Sequence, residues 1–559
     1  MNYLDVYNNW INSSSLNDEE RQQLKEMSEE DIYECFYRDL EFGTAGMRGK
    51  MGLGSNRINR FTIRMAASGM AHYLGKGARV AIAYDTRNNS QAFAQETARV
   101  LAAAGLQVYL FEDYSPVPLL SYAIRKLECD GGVVITASHN TKEYNGFKVY
   151  DRTGCQMLPD EAAQVAAGIA ALEDPLQVPT ADLDNPLITL IGEDIIASFM
   201  EDSICCGAPA GYSEEELAAE AKALKIVYTP IHGSGRDYVL RILKKAGFEQ
   251  IETVPEQMDY NGDFPTVAKP NPEEKAALFL AAEKARETGA DIIIGTDPDC
   301  DRIGVGIPDG DDIVYLTGNQ TGELLIDYLS RISNGAGKTL ITTIVSGQMG
   351  EQIARERGIR TCRTLTGFKY IGELMNRFEK EGKGFFMGYE ESYGYLTGMH
   401  ARDKDGVSTA LVICRMAAWH KARGKKLTEE LNGLYEEHGF WVDSQESLYF
   451  EGSQGEGIMK DLMEELYSWQ EQVFDGLNGE DGEVVFTDYR KGIDDLPPEN
   501  VMRYGFEDGS WIVVRPSGTE PKIKIYYCIQ GNTREEAKAK TEKYSGLLNE
   551  EIEKQTESR

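Results

Sequence analysis

The chain has few of the features that mark secreted, membrane or thiol-metal proteins. Residues 1–34 are polar and acidic, with neither a basic nor an apolar segment, so we predict no signal peptide. The apolar stretch that begins at Val100 is broken by Gly and Gln and is shorter than the roughly 18 residues that span a membrane. Apart from the adjacent Cys205 and Cys206, the nine cysteines are scattered, with no CxxC and no zinc spacing. We therefore predict reduced, mostly buried thiols in a cytoplasmic protein.

Positive charge is also scarce. The sequence has 58 Lys and Arg against 91 Asp and Glu, which gives a formal charge of −33. A surface of this sign repels phosphate backbones, so we predict no nucleic-acid partner and no membrane partner. At about 150 residues per domain, 559 residues are enough for three or four domains.

Short β-branched runs alternate with helical stretches over most of the chain. Such runs begin near residues 79, 131, 225, 291 and 338, and each ends in a polar or Gly-rich tip. This alternation is typical of βα units with mainly parallel strands, in which the carboxyl ends of the strands form the ligand site. Residues 511–527 instead alternate apolar and polar side chains and precede an amphipathic helix, which predicts an antiparallel sheet. We expect an α/β protein of four domains, at residues 1–205, 206–318, 319–432 and 433–559, the last being α+β.

The strongest local signal is the segment ADIIIGTDPDCDRIG. Asp297, Asp299 and Asp301 alternate directly after an apolar strand, so three carboxylates share one small volume. Such crowding is costly unless a cation neutralises it, and oxygen ligands of this kind suit Mg²⁺. An EF-hand is excluded, since Arg302 and Pro308 stand where that loop needs Gly and Glu. A solvated acidic turn is the alternative.

A second candidate site lies in DGGVVITASHNTKEYNGFKVY. Ser138 follows an apolar strand, His139 is adjacent, and Lys148 follows a turn. Ser138 is either a nucleophile, with a nearby cation to stabilise a phosphoryl group, or the N-cap of a helix. The segment has no GxSxG elbow, so His139 does not indicate a serine-hydrolase triad.

Three further loops carry suitable chemistry. RPSGTEPK, from Arg515, places a guanidinium, two hydroxyls and glycine N–H groups in one turn, which is typical of a phosphate nest; a bland hairpin turn is the alternative. GYEESYG offers Glu390 and Ser392 to sugar hydroxyls, and HARDKDG places Lys404 between two aspartates. The alternative for both GYEESYG and HARDKDG is a charged surface loop.

The order of these motifs resembles that of the α-D-phosphohexomutases, the phosphoglucomutase and phosphomannomutase enzymes. FGTAGMRG, TASHN, TDPDCDR, TGFK, GYEESYG and RPSGTEPK follow one another from about residue 40 to 525. The length, the TGFK loop and the HARDKDG loop look most like the phosphoglucomutase-2-type branch. The resemblance implies four domains around a central cleft, the first three of similar mixed α/β topology.

The resemblance also implies a role for each motif. Ser138 would be carried as phosphoserine, and one Mg²⁺ per subunit would be held by Ser138, Asp297, Asp299 and Asp301, with Arg302 close by. Arg48, Lys148 and His139 would lie near the transferring phosphoryl group, and Lys404 aligns with a proposed general base, for which its pKa must be lowered. The substrate-binding residues would be Thr366, Gly367, Lys369, Glu390, Ser392, Arg515, Ser517, Gly518 and Thr519.

The implied reaction is the interconversion of glucose 1-phosphate and glucose 6-phosphate. Glucose 1,6-bisphosphate would be its intermediate and activator, and small sugar phosphates its partners; we expect a monomer or a homodimer.

Two departures from the family pattern are Thr141, where proline is usual, and Cys300 inside the aspartate motif, which we interpret as a buried bystander. Gly394 stands where mannose-type enzymes have a catalytic histidine, which favours Lys404 as the base.

Other functions remain open at this point. Phosphomannomutase activity, or phosphopentomutase or glucose-1,6-bisphosphate synthase activity, would use the same scaffold. A haloacid-dehalogenase-type phosphatase would make Asp297 the phosphorylated residue and leave the other motifs unexplained. A catalytically inactive sugar-phosphate sensor is disfavoured because no motif carries a disabling substitution.

Overall fold

The computed structural model describes residues 2–44, 46–450, 455–477, 482–493, 495–517 and 522–557. The chain divides into two compact units. The first consists of Met1–Thr321 and Gly367–Lys425, and the second of Gly322–Thr366 and Lys426–Arg559. In the part of the chain that the structure describes, no helix is both long and apolar enough to cross a membrane.

Helices and strands alternate through much of the chain. The helices are α1 Tyr3–Asn12, α2 Asp18–Glu26, α3 Glu29–Phe36, α4 Arg60–Leu74, α5 Ser90–Ala103, α6 Val117–Lys126, α7 Pro159–Ala170, α8 Glu193–Ser203, α9 Glu214–Ala223, α10 Gly235–Lys245, α11 Pro255–Met258, α12 Phe279–Thr288, α13 Gly318–Ile332, α14 Gln348–Glu356, α15 Phe368–Glu381, α16 Gly406–Ala422, α17 Leu427–His438, α18 Gly455–Trp469 and α19 Arg534–Glu557. The strands are β1 Gly46–Lys50, β2 Arg79–Tyr84, β3 Gln107–Phe111, β4 Gly131–Ile135, β5 Tyr144–Asp151, β6 Ile188–Ile191, β7 Lys225–Thr229, β8 Gln250–Thr253, β9 Ile292–Thr296, β10 Ile303–Asp309, β11 Asp312–Leu316, β12 Lys338–Thr343, β13 Arg360–Thr364, β14 Gly384–Glu390, β15 Gly394–Leu396, β16 Phe440–Tyr449, β17 Val485–Asp488, β18 Met502–Gly505, β19 Trp511–Pro516 and β20 Lys522–Gly531. Short 3₁₀ helices cover Lys275–Leu278, Gln470–Leu477 and Tyr489–Lys491.

The first sheet has the strand order β1-β5-β4-β2-β3-β6. Strand β2 pairs in parallel with β3 and β4, whereas β5 pairs antiparallel with both β4 and β1. Every residue of β4 is buried, as expected for a strand covered on both faces. The polar loop that contains Ser138 follows β4 at its carboxyl end, so the sheet presents that loop at one edge.

The second sheet repeats this plan. Its order is β11-β10-β9-β7-β8, with β7 parallel to β8 and β9, and with β10 antiparallel to β9. Strand β9 therefore corresponds to β4, and β10 to β5. The loop with the three aspartates joins β9 to β10 and is the topological counterpart of the Ser138 loop.

Two smaller strand pairs follow in the chain. Strands β14 and β15 form an antiparallel hairpin in the first unit, and its turn carries Glu391, Ser392 and Tyr393. Strands β12 and β13 pair in parallel in the second unit. That unit also contains the predicted antiparallel sheet, with the order β16-β20-β19-β18-β17, and α19 packs on it through the buried Tyr544 and Leu548.

The local signals read from the sequence agree with these elements. The strands predicted near residues 79, 131, 225, 291 and 338 are β2, β4, β7, β9 and β12. All nine cysteines are free, and seven of them are buried, as the scattered spacing predicted. The four domain boundaries stay predictions.

Candidate active site

Ser138 lies in a buried turn directly after β4. Its backbone has φ of 51°, a left-handed conformation that a non-glycine residue adopts at a cost. The Oγ donates to Oδ2 of Asp297 at 2.9 Å and lies 3.1 Å from Nδ1 of His139. No helix begins here, because residues 138–140 form a turn, so the alternative of a helix N-cap is wrong.

Arg87 fixes the backbone of the Ser138 turn through hydrogen bonds to its carbonyl oxygens. This buried guanidinium, at the tip of β2, donates to the carbonyl oxygens of Ser138, at 2.5 Å, and of Asn140, Thr141 and Tyr144. Its Nε lies 3.4 Å from Oδ2 of the buried Asp85. Burial lowers the pKa of Arg87 and raises that of Asp85, and each charge partly offsets the shift of the other. Sequence analysis missed this pair, although both residues lie in the polar tip that follows β2.

The three aspartates form one buried cluster. One carboxylate oxygen from each of Asp297, Asp299 and Asp301 lies within 4.8 Å of those of the other two. The Oδ1 of Asp297 accepts from the backbone N–H groups of Asp301 and Arg302, which fixes the turn. Burial raises the pKa of Asp297 well above its usual range, and the charges of Asp299 and Asp301 raise it further.

The cluster fits a divalent cation. Oδ1 of Asp299 and Oδ1 of Asp301 are buried and accept no hydrogen bond from any described residue. A buried carboxylate oxygen without a donor is costly, and a hard cation with oxygen ligands would satisfy both. A solvated acidic turn is wrong, since all three aspartates are buried.

Lys148 and Arg48 approach this cluster from two adjacent strands. Lys148 lies on β5, opposite Gly46 of β1, and its Nζ donates to Oδ2 of Asp299 at 2.8 Å. This ammonium holds the pKa of Asp299 below its usual value, although burial alone would raise it. Arg48 on β1 is exposed and donates to Oδ1 of Asn140, two residues beyond Ser138.

Lys404 reaches the cluster from the loop before α16. Its Nζ lies 3.2 Å from Oδ2 of Asp301 and 3.3 Å from Oδ1 of Asp403. Burial would lower the pKa of Lys404, but Asp301, Asp403 and Glu390 outweigh it and raise that pKa above its usual value. Lys404 is therefore a cation in this structure and does not have the lowered pKa that a general base needs. Its general-base role stays a prediction.

Gly394 makes room for Lys404. A Cβ on Gly394 would lie 2.0 Å from Cδ of Lys404 and 2.6 Å from its Cγ. A side chain at this position would therefore displace the lysine. Asp403, which sequence analysis missed as a site residue, orients the loop: its Oδ2 accepts from the buried Tyr150 hydroxyl at 2.7 Å.

The predicted sugar-binding residues of the first unit lie at the end of β14 and the start of α15. Oε1 of Glu390 accepts from the backbone N–H of Gly367 at 2.8 Å. Burial raises the pKa of Glu390, which Lys404 partly offsets. Lys369, in the first turn of α15, donates to the carbonyl oxygen of Thr44 at 3.1 Å. Ser392 is half-buried in the turn of the hairpin.

Arg302 and His139 lie close to the aspartate cluster without belonging to it. Arg302 pairs with Glu273, and its Nε lies 3.9 Å from Oδ1 of Asp301. Burial lowers the pKa of His139 well below its usual value, and the positive charges of Arg302 and Arg48 lower it further.

The second unit holds the remaining predicted residues. Arg515 on β19 donates from Nη1 to Oγ1 of Thr366 at 2.6 Å. The N–H of Ser517 donates to the carbonyl oxygen of Lys522 at 2.7 Å, which closes the β19–β20 hairpin. The β19–β20 hairpin is therefore present, and the guanidinium of Arg515 is directed toward Thr366. Gly518 and Thr519 lie outside the described residues.

The chain matches four models of the phosphoglucomutase/phosphomannomutase family. The α/β/α domain I matches residues 39–175, domain II residues 212–310, domain III residues 317–438, and the C-terminal domain residues 472–541. Together these models cover most of the chain in the order that the motifs predict.

Curated relatives match over nearly the full length. A phosphoglucomutase of Staphylococcus epidermidis is 36% identical over 540 residues, which is 93% of this chain and 96% of the relative. One from Staphylococcus aureus is 35% identical over 512 residues, 89% of this chain and 91% of the relative.

Solved structures share the fold. The pp63/parafusin phosphoglucomutase of Paramecium, in its open form, matches with a TM-score of 0.70 at 18% identity and covers 92% of this chain and 95% of its own. A phosphoglucomutase/phosphomannomutase family protein of Burkholderia thailandensis gives a TM-score of 0.67 at 20% identity, over 91% and 96%. The predicted family, four-domain α/β fold class and enzyme class are confirmed: the chain belongs to the phosphoglucomutase/phosphomannomutase family and is a phosphohexomutase.

Proposed function

We propose that this phosphohexomutase is a phosphoglucomutase that interconverts glucose 1-phosphate and glucose 6-phosphate through a phosphoserine at Ser138. The observation that carries the proposal is the position of the Ser138 Oγ, 2.9 Å from Asp297 and inside a cluster of buried acids and cations. The names of the relatives, which are 35–36% identical over most of the chain, support glucose as the sugar.

The reaction needs two phosphoryl transfers in opposite directions. The free hydroxyl of the sugar phosphate attacks phosphorus, the bond from phosphorus to the Ser138 Oγ breaks, and the hydroxyl proton passes to a base. The product is glucose 1,6-bisphosphate, which rotates within the site so that its other phosphate faces Ser138. Its other phosphoryl group then returns to the Ser138 Oγ, and the sugar oxygen that it leaves takes up a proton. Positioning and charge neutralisation supply most of the acceleration in such transfers.

The aspartate cluster would hold Mg²⁺. Asp297, Asp299 and Asp301 would each give an oxygen, and a phosphoserine oxygen at Ser138 would complete the protein's share of the ligands. When bound, Mg²⁺ would neutralise negative charge on the transferring group. The two buried oxygens without a hydrogen bond, Oδ1 of Asp299 and Oδ1 of Asp301, support this assignment.

The chain's own cations would handle the charge that develops during transfer. Lys148 is 2.8 Å from Asp299, and Lys404 is 3.2 Å from Asp301, so both ammonium groups border the acids around Ser138. Arg48 would contact the phosphoryl group from the exposed side of the turn. Because Lys404 is held protonated, it suits the stabilisation of a phosphoryl oxygen in the state described.

The remaining residues would bind the parts of the substrate that do not react. Glu390 and Ser392 would accept from and donate to two ring hydroxyls. The resemblance assigns the unreactive phosphate to Arg515, Ser517, Gly518 and Thr519, and places Thr366, Gly367 and Lys369 among the substrate contacts. Glucose and mannose share the hydroxyls that Glu390 and Ser392 would read, so these two residues do not select the sugar.

A substrate comparison tests the choice of glucose. We expect kcat/KM for glucose 1-phosphate to exceed that for mannose, N-acetylglucosamine and ribose 1-phosphates. A ribose 1-phosphate preference greater than tenfold would instead assign phosphopentomutase activity, and a mannose preference would assign phosphomannomutase activity. Each substrate is measured with and without glucose 1,6-bisphosphate, because a phosphoserine enzyme that loses its phosphoryl group requires that activator.

We also propose that the protein acts in the cytoplasm. The nine free thiols support a reducing compartment. The oligomeric state predicted from the resemblance is a monomer or a homodimer, which sedimentation velocity of the purified chain would decide.

A further inference from the structure

A separate group of potential ligands lies in the second unit, at the ends of two helices. Glu356 is the last residue of α14, and Glu437 and His438 are the last two residues of α17. One ligand atom from each of these three residues lies within 4.8 Å of those of the other two. We call these residues the His438 cluster.

Among the described residues, His438 has no hydrogen-bond partner that would explain its burial. Its side chain is 2% exposed, and neither ring nitrogen makes a hydrogen bond to any described residue. Its Nδ1 lies 3.4 Å from Oε2 of Glu356, and its Nε2 lies 4.0 Å from Oε2 of Glu437. A buried imidazole normally has a hydrogen-bond partner on at least one nitrogen. Here Nδ1 faces the Glu356 carboxylate and Nε2 faces the Glu437 carboxylate, and neither nitrogen makes a hydrogen bond to them.

The Glu356 carboxylate is turned toward the imidazole by its own helix. Its other oxygen, Oε1, accepts from the amide Nε2 of Gln352, one turn earlier, at 3.3 Å. An outer hydrogen bond of this kind fixes the direction of a metal-binding carboxylate. Oε2 is thereby left facing His438.

Neighbouring arginines bond to other carboxylates. Arg355 donates to Glu351 at 2.5 Å, and Arg357 donates to Asp327 at 3.2 Å. Arg331, on α13, donates to Asp327 and to Glu430 of α17. These guanidinium groups therefore bond to acids outside the His438 cluster, and Arg355 also donates to Oγ1 of Thr361.

The helix ends add negative potential at the same place. An α-helix carries about half a negative charge at its C-terminus, and both α14 and α17 end within the cluster. Two carboxylates and two helix C-termini favour a cation at this place.

We propose that the His438 cluster binds a first-row divalent transition cation such as Zn²⁺, through His438, Glu356 and Glu437. Zn²⁺ holds nitrogen and oxygen ligands at about 2.0–2.2 Å in a tetrahedron, which places neighbouring ligand atoms about 3.4 Å apart. The distance from Nδ1 to Oε2 of Glu356 is 3.4 Å. The Glu437 carboxylate lies nearest the other nitrogen, Nε2, at 4.0 Å, so its side chain, which is 59% exposed, would rotate toward an ion held at Nδ1. Water would occupy the fourth position.

This site differs in kind from the aspartate cluster of the first unit. Imidazole suits zinc, copper, nickel and iron, whereas three carboxylates suit magnesium. The cation would join the end of α14 to the end of α17, so we expect it to raise the thermal stability of the second unit.

The test is a calorimetric titration of the full chain with Zn²⁺, after treatment with a chelator and in millimolar Mg²⁺, which occupies the hard oxygen site. We expect the wild-type chain to bind one Zn²⁺ that His438→Gln binds at least about tenfold more weakly, because even outer-shell changes at metal sites cost about that much. Glu356→Gln replaces a half-exposed carboxylate, so it weakens binding without endangering the fold.

Glu436→Gln is the matched control, since Glu436 is an exposed neighbour on α17 that lies outside the cluster. It should bind Zn²⁺ as the wild type does, and both should gain thermal stability with Zn²⁺ while His438→Gln does not. Identical titrations for the wild type, His438→Gln and Glu356→Gln would overturn the proposal. So would anomalous diffraction at the zinc edge that places the ion only at the exposed Cys205.

Discussion

The Ser138 turn and the aspartate turn occupy the same place in two sheets of the same topology. Each follows the buried parallel strand at the centre of its sheet and leads into an antiparallel strand, β5 in one case and β10 in the other. Each contains a non-glycine residue in the left-handed region, with φ of 51° at Ser138 and 52° at Cys300. Tyr393, in the turn from β14 to β15, has φ of 66° and repeats the feature.

The two turns are held in opposite ways. A buried cation, Arg87, collects the carbonyl oxygens of the Ser138 turn. The aspartate turn is instead held by one of its own anions, since Asp297 collects the N–H groups of Asp301 and Arg302. One backbone plan would therefore support the proposed nucleophile in the first sheet and the proposed metal ligands in the second. The charge that holds each turn decides whether its carbonyl oxygens or its N–H groups are fixed.

The largest expected effect is the loss of the nucleophile. Ser138→Ala removes the only oxygen that the proposed mechanism phosphorylates on the enzyme, so we expect mutase kcat to fall by at least about 10³-fold. Ser14→Ala, at an exposed position after α1, should keep full activity. Full turnover in Ser138→Ala, measured by a coupled assay for glucose 6-phosphate, would refute the mechanism.

The next effect weakens the proposed metal site of the aspartate turn. Asp297→Asn keeps the shape of the side chain but removes one charge from the cluster, so we expect kcat to fall by about 100-fold or more and half-saturation to need more Mg²⁺. Asp311→Asn, in the exposed turn between β10 and β11, is the control and should match the wild type. An unchanged Mg²⁺ dependence in Asp297→Asn would remove that residue from the metal site.

Replacing the cationic brace should act on stability first. Arg87→Lys keeps the charge but cannot reach the same set of carbonyl oxygens, so we expect the free energy of unfolding to fall by about 3 kcal/mol, because buried acceptors that lose their donor cost about 1–3 kcal/mol each. Arg38→Lys, at an exposed arginine, should change it by less than about 0.5 kcal/mol. Denaturant titration measures both, and equal stabilities would show that Arg87 does not hold the turn.

The smallest effect concerns Cys300, the positional counterpart of Ser138. Its thiol is buried, and that burial raises its pKa well above the usual range, whereas the exposed Cys205 has a pKa lowered to about 6 by its hydrogen bond with Cys206. We expect Cys300→Ala to keep kcat within about threefold, since the thiol touches no proposed substrate group and an ordinary substitution costs only about 1 kcal/mol.

Thiol labelling checks the same point in the native chain. A disulfide reagent should modify Cys205 first and leave Cys300 unmodified until the protein unfolds. Rapid loss of activity on labelling at Cys300 would show that this residue acts as more than a bystander.

Sequence patterns predicted the parts of the site that are local in the chain. Strand, polar tip and charge pattern were enough to single out the three aspartates, because each lies within a few residues of the strand that positions it. The same pattern left Ser138 open between a nucleophile and a helix N-cap, and the order of the motifs selected the nucleophile. The bracing residues Arg87, Asp85 and Asp403 were missed, since their partners lie elsewhere in the chain: 51 residues away for Arg87 and Ser138, and 253 for Asp403 and Tyr150. The pKa of Lys404 was also out of reach, because it depends on Asp301 and Glu390, which are distant in the chain, as well as on the adjacent Asp403.

The most direct test of the account is phosphopeptide mass spectrometry of the enzyme after it is mixed with glucose 1,6-bisphosphate. The account predicts one added phosphoryl group, on the peptide that contains Ser138, and its loss to the sugar when glucose 1-phosphate or glucose 6-phosphate is added in excess. A phosphoryl group on Asp297, or an active enzyme that carries none at Ser138, would contradict it.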